Sequence, residues 1–196
     1  MTPTNASKQG ATMKTLSMIL GGAALAVALA CGGGGGGGTS TPTTPPGPTP
    51  LSAGTHTLGL SVTMGSGASV PVSGVAVTVQ LPAGVTVATG SGDPAAILDT
   101  SLSAGSAITG TSVVSGSHSA TTRQAKLTVV HGPTVTWSGE YLRLKVTVPS
   151  GTTVYATDFT TLNATPVTLK VVGVDTTAHS TVVLTSQATA TLRVVD

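Results

Sequence analysis

The sequence predicts an all-β protein, a two-sheet antiparallel sandwich standing behind an export signal and an unstructured linker. Three observations predict it. Apolar and polar residues alternate with period two in run after run beyond residue 50, which buries one face of a strand and wets the other. Breakers rich in glycine and proline separate those runs, as in Gly65-Ser66-Gly67, Pro82-Ala83-Gly84, Gly90-Ser91-Gly92-Asp93-Pro94 and Pro149-Ser150-Gly151. No convincing amphipathic helical period follows the N-terminal apolar run; only Ala95 to Leu102 reads as one or two helical turns.

Three segments follow in order: residues 1–30 as signal, 31–50 as a cysteine plus linker, and 51–196 as the domain. Lys14 gives the signal a charged start, and Met18 to Ala30 is an apolar run ending in small residues. That run is too short to span a bilayer, which takes about 20 residues. Met13-Lys14-Thr15 makes a tighter start than Met1, so translation is expected to begin at Met13. The linker opens with unbroken glycine from Gly32 to Gly38 and continues in Thr and Pro to Pro50. Glycine has most freedom to lose and no side chain to bury, so this stretch is expected to stay unfolded. At about 3.1 Å per residue in its Pro/Thr part, the linker sets the domain roughly 50 Å from its start.

The clearest strands are expected at 57–64, 75–81, 142–148, 167–171 and 189–194, with weaker signals at 85–88, 106–114, 123–131 and 181–185. Leu58, Leu60, Val62 and Met64, Val75, Val77, Val79 and Leu81, Leu142, Leu144, Val146 and Val148, Val167, Leu169 and Val171, and Ala190, Leu192 and Val194 are the expected core. Aromatic residues are scarce, so Val, Leu, Ile and Ala must fill the interior.

Ala28-Leu29-Ala30-Cys31 resembles the lipobox of bacterial lipoproteins. The resemblance implies cleavage between Ala30 and Cys31, a diacylglyceryl group on the cysteine sulfur and an acyl group on its new amine. One acyl chain binds a membrane only marginally, and two or more anchor stably. The glycine at position 32, where inner-membrane lipoproteins carry aspartate, implies the outer membrane, on its periplasmic or cell-surface side. Cys31 is the only cysteine, so no disulfide can form within the chain.

A second resemblance covers most of 54–195. Val75 to Leu81, Pro82-Ala83-Gly84-Val85-Thr86-Val87, Gly139-Glu140-Tyr141-Leu142-Arg143-Leu144-Lys145-Val146 and Thr165-Pro166-Val167-Thr168-Leu169 look like the cohesin family. It implies a jelly-roll sandwich, shared with certain carbohydrate-binding modules, and a dockerin-like protein partner. Leu81-Pro82 departs from the Tyr-Asp pair that many cohesins carry after the early strand.

Charge and chemistry narrow the function. The chain has 8 Lys+Arg and 6 Asp+Glu. Loss of residues 1–30 removes Lys8 and Lys14 and leaves the balance at zero. No basic stripe is left for nucleic acid. His56, His118, His131 and His179 show no metal-ligand spacing, and the isolated aspartates show no calcium-loop spacing. There is no GxSxG elbow and no CxxCH. The chain is therefore expected to be no enzyme, with no catalytic residue, cofactor or metal of its own. Its expected role is a lipid-anchored binding or structural module. It would meet an envelope or extracellular protein through a sheet face or strand edge. The alternative is weak polysaccharide binding, and a hydrolase stands third. Trp137, Tyr141, Arg143 and Lys145 are the candidate ligand surface. The two rings could grip a sugar, and the two cations share the outward face of one strand. The competing reading makes Trp137 a plug at one end of the core and the cations guards of a strand edge.

Overall fold

The computed structural model describes residues 47–132 and 137–196. The chain divides into two units, Met1–Thr44 and Pro45–Asp196. The signal, the lipobox with Ala30 and Cys31, and the linker as far as residue 46 lie outside the described residues.

Among the described residues, nine strands and one α-helix follow in order: β1 (Gly54–Met64), β2 (Val72–Gln80), β3 (Leu102–Ala104), β4 (Ser112–Ser119), β5 (Gln124–His131), β6 (Gly139–Val148), α1 (Ala156–Leu162), β7 (Thr168–Asp175), β8 (Ser180–Val183) and β9 (Ala188–Val194). They form a two-sheet antiparallel sandwich, as expected. One sheet has four strands in the order β3-β6-β1-β9, and the other has five in the order β4-β5-β2-β7-β8. The period-two residues meet between them, except Val167, which lies just before β7 and is 50% exposed. Leu58, Leu60 and Val62 of β1 face Val75, Val77 and Val79 of β2, with Leu127 and Val129 of β5, Leu142 to Val148 of β6, and Leu192 of β9 completing the core.

Four local expectations are corrected. First, β3 and α1 are elements the alternation does not announce. Second, Ala95 to Leu102 is not helical: it runs through turns and two bridges, Thr89 to Ile97 and Ala96 to Ser117. Third, the signal at 85–88 yields only the bridge Thr86 to Thr147. Fourth, the strand expected from residue 106 starts at Ser112, because Gly105 to Ile108 turns tightly instead, with Ile108 N–H donating to Gly105 C=O at 3.1 Å.

The helix has a clear physical origin. The carboxylate of Asp158 accepts from the Tyr155 N–H at 2.8 Å, satisfying a donor at the helix start. Phe159 is fully buried and plugs the core from the side. Asn163 follows the last turn, 2% exposed. Its Nδ2 donates to the carbonyls of Phe159 and Gln80, each at 2.8 Å, and its Oδ1 accepts from the Gln80 N–H at 2.7 Å. One amide thus ends the helix and supplies the last residue of β2 with the pair of bonds a neighbouring strand would give.

Candidate functional site

The four residues singled out from the sequence do not form one surface. Arg143 and Lys145 point outward from β6, as alternation requires. Tyr141 should share that face but is fully buried. The cause is a bulge. Leu60 of β1 pairs with Leu142, yet the next residue, Ser61, pairs with Glu140, so Tyr141 is the extra residue. Two consecutive side chains then point inward. The Tyr141 ring lies 6.0 Å from that of His131, tilted by 41°, and burial pushes its hydroxyl pKa up to about 12. Tyr141 therefore offers no ring to a ligand.

Gly105 makes the bulge possible. Its N–H donates to the Tyr141 carbonyl at 2.9 Å, and the Ala107 N–H donates to the Glu140 carbonyl at 2.9 Å. A Cβ at Gly105 would lie 2.2 Å from that Glu140 oxygen, so only glycine fits.

Nor do the cations guard an edge. β6 lies between β3 and β1, inside its sheet. Arg143 donates to Glu140 at 2.6 Å, and the Glu140 side chain is only 14% exposed. Its carboxylate lies over Gly59, where a Cβ would meet it at 2.6 Å. Trp137 is 39% exposed, so it does not plug the core.

The more conspicuous surface is the outer face of the five-stranded sheet. Pairing aligns Val113 of β4 with Val130 of β5, Val130 with Gly74 of β2, Gly74 with Val172 of β7, and Val172 with Val183 of β8. Val113, Val130 and Val183 are 69%, 54% and 64% exposed. A Cβ built on Gly74 would touch the methyls of both Val172 and Val130, at 3.1 and 3.7 Å, so the row closes across the glycine. Four valines thus cross the whole sheet on its solvent side.

Next to the valine row runs a shallow groove of about 470 Å³. Its floor is low because Ala76 occupies the middle strand, with Thr128 and Lys170 opposite it on either side. Lys126 and Lys170 stand on opposite banks, and Thr78 bonds Thr168 across the floor at 2.7 Å. A second hollow of about 340 Å³ continues it towards Ser117, His118 and Gln124. Desolvation lowers the pKa of His118. Each valine of the row belongs to a Val-Val pair in the sequence, Val113-Val114, Val129-Val130, Val171-Val172 and Val182-Val183, but sequence order does not tell which strands lie side by side.

The sheet edges are less available. Thr160 of α1 donates to the Leu192 carbonyl of β9 at 3.2 Å. The far half of β4 is covered by 95–97, through Ile97 N–H to Gly116 C=O at 3.0 Å and His118 N–H to Ala95 C=O at 2.7 Å. β3 and β8 are three and four residues long. Short or covered edges resist strand addition.

Among the described residues, no group of three His, Cys, Asp or Glu side chains could hold a metal ion. Also among them, no helix is long and apolar enough to cross a membrane. Fold and surface together define an all-β two-sheet sandwich with one open, neutral-to-basic sheet face. Comparison with family models, with curated proteins and with solved structures finds no match to this chain.

Proposed function

We propose that this protein is a lipid-anchored, non-catalytic binding module of the outer membrane that engages another protein through the outer face of its five-stranded sheet. The observation that carries the reading is the row Val113, Val130, Val172 and Val183. A β-sheet face left to water is ordinarily polar. Contiguous apolar patches on soluble domains mark interaction sites. Protected edges leave the face as the part of the sheet open to a partner. The likeness of its strands to cohesins supports a protein partner, and the lipobox at Cys31 supports the anchor.

The test places a photo-crosslinking amino acid at Val130, and in a second strain at Thr191 on β9, in the full chain in intact cells. A specific protein adduct from position 130 and none from 191 is expected. Equal labelling at both positions, or none, would overturn the reading. For the anchor, Cys31→Ser is expected to abolish incorporation of labelled palmitate and release the chain from membranes. Polysaccharide binding stays as the second reading because Trp137 is exposed. A glycan array that lights up for the wild type and goes dark for Trp137→Ala would favour it instead.

A further inference from the structure

The charge on the same face says what kind of protein it takes. No Asp or Glu stands at an outward position of β4, β5, β2, β7 or β8; those positions hold Ser, Thr, Gly, Ala, Gln and Val, together with Lys126 and Lys170. The one acid on these strands, Asp175, is spent on the following turn, where its carboxylate accepts from Thr177 and Ala178 N–H groups at 2.8 and 2.9 Å. Both lysines are exposed, and neither has an acidic partner on the face.

We infer that this face binds an acidic protein segment, its carboxylates held by Lys126 and Lys170 and its apolar side chains laid on the valine row. The inference rests on the reading of the face as the docking surface. Lys126 is opposite Thr78 and Lys170 opposite Ala76, so they are two strands apart and offset by two residues. That is about 10 Å across and about 7 Å along, a diagonal of roughly 12 Å. Carboxylates four residues apart in an extended segment are separated by about 13 Å, which matches. The same charges argue against the other occupants. A second copy docked face to face would oppose lysine to lysine. A polysaccharide would find no aromatic ring among the outward residues of these strands.

The experiment has two arms, both on the full chain. In the first, the detergent-purified protein is titrated with a fluorescein-labelled peptide of Val and Thr carrying glutamates four residues apart, and with its lysine counterpart. The glutamate peptide is expected to bind more tightly, to weaken with added salt, and to lose on the order of tenfold in affinity in Lys126→Glu/Lys170→Glu. Lys126→Gln/Lys170→Gln should fall between. Equal binding of the two peptides, absence of binding included, overturns the inference, as does an unchanged affinity in the charge-reversed variant. In the second arm, the segment crosslinked at position 130 in cells is sequenced. An acidic segment supports the inference. A neutral or basic segment, or a second copy of this chain, overturns it while leaving the face a docking surface. No adduct at all removes both.

Discussion

Replacing Asn163 with leucine should be among the most damaging single changes on the surface-to-core boundary, although it swaps a polar side chain for an apolar one of similar size. The wild-type amide makes three hydrogen bonds, two to Gln80 and one to Phe159. Leucine leaves the Gln80 N–H and C=O and the Phe159 C=O without that partner. Each buried group left unpaired costs about 1–3 kcal/mol. Gln80 is half-buried, so water recovers part of this, and a total of about 3 kcal/mol follows. For a domain of this size each kcal/mol is worth roughly 2–4 °C, so a fall of about 6–12 °C in Tm is expected by circular dichroism. Asn163→Asp separates hydrogen bonding from shape. One carboxylate oxygen can still accept from Gln80 N–H, but the other faces two carbonyl oxygens. Burial and that repulsion raise the new carboxyl's pKa in the folded state. The variant's deficit against wild type must therefore grow as pH rises from about 4 towards neutrality, and shrink in acid, where the protonated carboxyl can donate once. A leucine variant melting within a degree of wild type, or an aspartate deficit indifferent to pH, would show that the amide is not what fastens α1 to β2.

Gly105→Ala pushes a methyl into the Glu140 carbonyl and should cost at least about 1–3 kcal/mol, read as a lowered urea midpoint; an unchanged midpoint would mean the bulge needs no close approach there. His56 is held above its ordinary pKa by the Ser52 carbonyl, 2.9 Å from Nε2, and by Asp196, which bonds Nδ1. Burial opposes ionisation of Asp196, but bonds from Thr57 N–H, at 2.6 Å, and His56 outweigh it and hold its pKa low. The His56 contribution is complete below about pH 6.5 and is lost as pH rises through its raised folded value. The Asp196 contribution is complete above about pH 3.9 and is lost as pH falls through its lowered one. Tm of the wild type relative to His56→Gln should therefore peak between those limits, and a difference flat from pH 4 to 9 would contradict the pairing. Tyr141 and Tyr155 are the only tyrosines, so absorbance titration of Tyr155→Phe reports Tyr141 alone. It should ionise near pH 12 or only on unfolding, and a transition near pH 10 would place the ring at the surface.

The sandwich could be read from the sequence because the core residues are periodic. Leu58-x-Leu60-x-Val62 and Val75-x-Val77-x-Val79 each state which side is inward without reference to any other strand. Features that depend on a partner could not be read that way. Tyr141 is grouped by alternation with Arg143 and Lys145, and only the register against Ser61 shows the extra residue that turns it inward. α1 has one buried residue, Phe159, in seven, too few to show a helical period, and what fixes it is Asn163 reaching Gln80 far back in the chain. Arg143 and Lys145 were legible as outward, but not as interior to their sheet, because β3 is three residues long and leaves no signal of its own.

The proposed docking face turns on the same distinction. Val113, Val130, Val172 and Val183 come from four strands, and each is a single β-branched residue at an outward position, unremarkable alone. Surface valine is favoured in strands for its fit to the pleat, so composition cannot separate propensity from recognition. Alignment can. A strand preference acts on each residue separately and gives no reason for four of them to fall on one line across the sheet. It gives no reason, either, for the middle strand to carry Gly74 and Ala76, which are poor strand formers, where the line and the groove cross it. Small residues at the centre with larger ones on both banks make a trough, at some expense in sheet stability. A trough with an apolar border, two lysines and no acid at its outward positions is what supports the proposal that this face takes a partner from outside the fold.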